Sequence, residues 1–147
     1  MSEIEQLFEE EKKVGEAVRI IGSLILDLSD FTHSRSPEEL AQSQILGKKI
    51  NTECEKIDEE VHKARKLISK LMTEKTSIKL NNENQELHKI ENELALIHGD
   101  VHIISQLAQE FFKAKNRQAA FDNLSKVYAG LMQHMVALMV EGTGLEV

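Results

Sequence analysis

Residues 40–71 read LAQSQILGKKINTECEKIDEEVHKARKLISKL, and residues 87–111 read LHKIENELALIHGDVHIISQLAQEF. In the first stretch Leu40, Ser43, Gly47, Ile50, Cys54, Ile57, Val61, Ala64, Ile68 and Leu71 recur at alternating steps of three and four. The second repeats the pattern with Leu87, Ile90, Leu94, Ile97, Val101, Ile104, Ala108 and Phe111. This spacing keeps one stripe of a helix turned toward a partner. Two long antiparallel helices are therefore expected, folded back at Ser77 to Asn82. The expected fold is all-α: an elongated antiparallel four-helix bundle built on this coiled-coil-like hairpin, a single helical domain over residues 1–147.

Outward from the hairpin, the pattern predicts helices over about residues 2–31, 37–75, 83–115 and 117–141. Ser36, Pro37, Glu38 and Glu39 supply a capping hydroxyl, a proline at the first helical position and a carboxylate three residues after the cap. Thr73, Thr76 and Ser77, followed by Asn81 and Asn82, favour a turn. Gly142 and Gly144 end the fourth helix. In the first helix, Glu3, Glu5, Glu9, Glu10 and Glu11 suit the positive end of the helix dipole. Its apolar stripe is Ile4, Leu7, Val14, Val18, Ile21, Ile25 and Leu28. From Ala17 to Leu28 the stripe widens, because Ile20, Leu24 and Leu26 add apolar surface. Gly15 and Gly22 lie seven apart on one face, where a neighbouring backbone could come close.

The chain has 147 residues, 41% hydrophobic and 29% charged, enough for one packed domain and unlike a disordered chain. Its net charge of -7 opposes binding to nucleic acid, because phosphate repulsion precedes any specific contact. No apolar run approaches the roughly 18 residues that span a bilayer. The single Cys54 cannot form an internal disulfide, which fits a reducing compartment and a cytoplasmic location. No phosphate-binding glycine loop, nucleophile motif or paired-cysteine knuckle is present. Cys54 falls on the apolar stripe, as an inert buried thiol would. His134, among Met132, Met135, Val136, Leu138 and Met139, reads as a histidine at the edge of a helix contact.

Pairing the hairpin arms sets Val61 against Ile97, Ala64 against Leu94 and Ile57 against Val101. One flank then places Arg65 beside Glu91 and Asp58 beside His98. The other places Glu60 beside Asp100, two carboxylates that repel unless a cation or a proton lies between them. Glu59, Glu60, Asp100 and His98 are thus the candidate ligands for a divalent metal, since carboxylates and imidazoles bind such ions and bundle interiors hold them.

The stretch Glu93 to Ala108, with Gly99, Asp100 and Val101 at its centre, resembles the second metal helix of the all-α nucleotide pyrophosphohydrolases of the MazG type. Glu59 and Glu60 would correspond to the family's first acidic motif. The resemblance implies a magnesium-dependent enzyme working on the acidic flank of the hairpin. The family pattern has further acids where this chain has Lys63 and Ile97, and their loss removes charge that would hold magnesium against a triphosphate.

The function read from the sequence is a non-catalytic helical scaffold or adaptor, without a cofactor, acting through protein-protein contacts with a second copy or another helical protein. The alternative is the metal-dependent or ligand-binding bundle just described. Helix four looks too short to cover the hairpin, so apolar surface should stay open and call for a partner. Ala17 to Leu28 and Leu131 to Val140 are apolar on more than one face. Ile20, Leu24, Leu26, Met132, Met135 and Met139 are the expected interface of a homodimer, the methionines adapting to a partner's shape.

Overall fold

The computed structural model of the protein describes residues 2–74 and 81–141. Over those residues four helices and no strand are present: α1 (Glu3–Leu28), α2 (Pro37–Glu74), α3 (Asn81–Glu110) and α4 (Arg117–Glu141). At about 1.5 Å per residue the 38 residues of α2 extend about 57 Å. The bundle is therefore elongated. Helices adjacent in sequence pack side by side, and α1 closes the ring against α4 through the sparsest of the four contacts.

The helix starts follow local chemistry. The Ser2 hydroxyl accepts the Glu5 N–H at 3.1 Å, and the Ser36 hydroxyl accepts the Glu39 N–H at 3.1 Å. Each satisfies a first-turn donor that has no partner within its helix. The start of α4 is capped by Asn116, whose Oδ1 accepts the Ala119 N–H at 3.1 Å. Two ends differ from expectation. The regular part of the first helix stops at Leu28 and that of the third at Glu110, each followed by one 3-10 turn, Ser29–Phe31 and Phe111–Lys113. After the second of these, Ala114 is extended, which lets Asn116 reach its capping position. Arg117 Nε then donates to the Phe31 carbonyl at 2.9 Å, tying the start of α4 to the end of the first helix.

Asn81 and Asn82, expected in the turn, belong to the first turn of α3. First-turn N–H groups lack intrahelical partners in any case, so residues that weaken a helix interior are tolerated there. Ser77 and the rest of the expected turn, like Gly142 and Gly144, lie outside the described residues.

The hairpin stripe is the core. Ser43, Gly47 and the stripe from Ile50 to Leu71 are buried, as is the whole α3 stripe from Leu87 to Phe111; only Leu40 is half-buried. The first flank of the expected register is present, with Arg65 3.5 Å from Glu91 and His98 2.8 Å from Asp58. Gly47 lets α2 approach the α3 backbone closely, because a Cβ there would lie 2.6 Å from the Ala108 carbonyl oxygen. On α1, Gly22 makes room for a side chain and not for a backbone. A Cβ there would lie 2.7 Å from Cζ of Tyr128, whose hydroxyl donates to the Val18 carbonyl at 3.0 Å.

One expectation about coverage is overturned. The hairpin stripe does not stay open, because α1 lies along α2 while α4 lies along α3. Single exposed apolar side chains remain on the hairpin, Ile45 on α2 and Leu96 and Ile103 on α3, while Met132, Val136 and Met139 form a group on α4 where it meets α1.

Candidate functional site

The face of α1 that turns to α4 carries Phe8, Glu11, Gly15 and Val18. Near its middle it offers a glycine and a carboxyl where a well-sealed contact would have branched aliphatics. The facing side of α4 carries Tyr128, Met132, Met135, Val136 and Met139, among which the unbranched, flexible methionines predominate. The result is an open groove of about 780 Å³, lined by these residues and rimmed by Lys12, Glu16 and Arg19. Met132 is 40%, Val136 58% and Met139 64% exposed. Met135 is buried and closes the floor, its Cε 3.4 Å from where a Gly15 Cβ would stand.

The groove contains one charged group at depth. Glu11 is only 7% exposed, and its Oε1 has no hydrogen-bond partner among the described residues. Burial, reinforced by the nearby Glu141, pushes its carboxyl up to about 7. Arg19 and Lys12 stand at the rim and form no ion pair among the described residues. Arg19 is eight residues along the helix from Glu11, about 12 Å at the usual rise, beyond reach within one chain.

The expected interface residues divide between this groove and its surroundings. Met132, Met135 and Met139 line it. Leu26, 68% exposed, continues the α1 row of Phe8, Gly15 and Gly22 beyond the groove, by helical spacing. Leu24 is half-buried against the core, and Ile20 is exposed but does not line the groove.

The candidate metal ligands are placed on separate faces. Asp100 turns to α4, where its Oδ2 lies 3.7 Å from His134 Nε2. Glu60 pairs with Lys63 on its own helix at 3.4 Å, on the flank that carries Lys70, which reaches Glu3 of α1 at 2.6 Å. The expected pairing of Glu60 with Asp100 is therefore corrected: α1 and α4 turn those flanks outward in different directions, which the hairpin taken alone does not reveal. Glu59 is exposed, and His98 is held by Asp58. Among the described residues, no group of three or more His, Cys, Asp or Glu side chains converges as metal ligands would.

His134 is the residue whose setting the sequence left least defined. Its Nδ1 lies 3.0 Å from Glu93 Oε2, so the ring bridges Glu93 and Asp100, one helical heptad apart on α3. Burial raises the Asp100 carboxyl above its ordinary range, opposed by His134. Burial also raises Glu141, with Glu93 adding to the effect. On the opposite flank of α3 a polar cleft of about 360 Å³ runs along α2, lined by Asp58, His62, Arg65, Lys66, Ser69, Glu91 and His98. Its charges are matched, as a solvated and internally paired flank requires. Cys54 is buried and free, and burial pushes its thiol up to about 12, far from a nucleophile's range.

No helix among the described residues is long and apolar enough to cross a membrane. No family model matches the chain, and neither does any curated protein or solved structure.

Proposed function

We propose that the protein is a non-catalytic helical scaffold that acts by self-association, as a dimer, through the face where α1 meets α4. The observation that carries this is the groove itself: Met132, Val136 and Met139 leave apolar surface open beside Phe8 while the hairpin core is fully covered. Contiguous apolar surface of this kind is uncommon on a monomer and marks interaction sites. Methionines suit such a surface because three rotatable bonds let them fit a partner. A second copy is the favoured occupant because two-fold pairing is the commonest way for one sequence to cover its own patch. The lone buried Cys54 is compatible with a cytoplasmic scaffold.

Sedimentation of two variants tests the reading. Met139→Glu places a charge in the apolar contact and should give a helical monomer. Ile20→Glu, off the groove, should sediment like the parent. Equal mass for the Met139→Glu variant and a dimeric parent would remove the groove from the interface.

A further inference from the structure

Glu11 sets a problem that the single chain does not solve. Its carboxyl is nine-tenths buried with an oxygen unpartnered among the described residues, yet it faces a groove with an arginine at the rim that also lacks an ion-pair partner among them. Gly15 stands midway between Glu11 and Arg19 on α1. Gly15 and Met135 face each other across the groove, with Met132 and Met139 to either side of Met135. The groove face is thus self-complementary about its own centre.

We propose that the groove is filled by a second copy related by a two-fold axis that lies in the interface, perpendicular to the helices, at the level of Gly15 and Met135. In this arrangement α1 lies antiparallel on α1 of the other copy, and α4 on its α4. Residues equally far on either side of Gly15 meet, so Glu11 of each copy receives Arg19 of the other. The same axis brings Met132 of one copy against Met139 of the other. Gly15, without a side chain at the crossing, leaves the path open by which the guanidinium reaches the buried carboxyl.

Three observations support this register. The acid and the base that would pair both line the groove and each lacks an ion-pair partner among the described residues. They are symmetric about Gly15, the only glycine among the described residues that line the groove. The exposed methionines flank the residue facing that glycine, three residues before it and four after. A guanidinium next to Glu11 also relieves the burial that raises its carboxyl, because an opposite charge at hydrogen-bond distance favours the ionised form. Truncating one member of a buried charge pair leaves the other uncompensated. The interface should therefore depend on both residues, and on their complementarity more than on their identity.

This register rests on the self-association proposed above, and charge reversal separates the two. Arg19→Glu, at an exposed position, should weaken the dimer by at least about 100-fold, because each dimer contains the pair twice. Glu11→Arg should weaken it similarly, with circular dichroism verifying that the helices remain. The double variant Glu11→Arg with Arg19→Glu restores the pairing with its charges exchanged and should recover most of the affinity. A dimeric parent whose Arg19→Glu variant binds as tightly would overturn the register and leave self-association standing. A double variant no tighter than Arg19→Glu alone would overturn the register too, and a monomeric parent would overturn both proposals. If Glu11→Arg fails to fold, Glu11→Gln replaces it. A Glu11→Gln dimer as tight as the parent's would count against the pairing.

Discussion

Glu11 shows how one residue can be hidden by its neighbours in the chain. It belongs to a run of acids at the start of α1, and in such a run a carboxylate reads as complement to the helix dipole. Its position tells otherwise. The stripe of α1 steps from Leu7 to Val14 with no apolar residue at the stripe position between them, and Glu11 fills that gap, four residues after one and three before the other. That gap was the available signal of a buried acid. Its consequence is a dependence on pH. In the unfolded chain the carboxyl titrates near 4.5, and in the fold at about 7. A group raised in this way contributes its stability fully below about pH 4.5, and the contribution is lost as pH rises through 7. Above that the fold holds a buried charge at a cost on the order of 3 kcal/mol. At submicromolar concentration, where no second copy assists, Glu11→Gln should raise the melting temperature at pH 8 and leave it nearly unchanged at pH 4. A Glu11→Gln variant less stable than the parent at pH 8 would show that the carboxylate has a partner within the chain. Gly47 gives a second test at this scale. Because its missing Cβ faces a backbone carbonyl and not a flexible tip, Gly47→Ala should destabilise by about 1 to 3 kcal/mol in urea unfolding.

At the scale of the elements, the hairpin was legible in the sequence nearly to the residue. Its two stripes keep the three-four spacing throughout, and buried cross-pairs with Arg65 and Glu91 on one flank follow from aligning them. Ala64→Asp should abolish folding or cost several kcal/mol, since it places an unpartnered charge at the centre of the core. Arg65→Ala should cost under about 1 kcal/mol, because both members of its ion pair are half in water. A cysteine pair at positions 65 and 91, in a Cys54→Ser background, should cross-link on oxidation; failure to do so would contradict the register. What could not be read was the side on which α1 and α4 would lie. Spacing within a helix fixes which face is apolar, but the flanks of a hairpin are equivalent until further helices arrive. For that reason Glu60 and Asp100, adjacent in a two-helix reading, turn to different neighbours, and His134 takes the place beside Asp100.

For the whole molecule, the four helices form a ring that is well sealed at three contacts and loose at the fourth. The expectation of an uncovered apolar surface came from the length of the hairpin, but the physical origin is different. Two outer helices of similar length, 26 and 25 residues, cover the hairpin between them and then meet each other poorly. A glycine, a glutamate and three methionines stand where aliphatic packing would close the ring. In the proposed dimer that face is closed by a second copy. Its most direct test is the mass of the unmodified chain by light scattering across micromolar concentrations. A dimer gives twice the mass of one chain, falling toward that of a single folded chain on dilution. A folded chain of single mass throughout that range would contradict it.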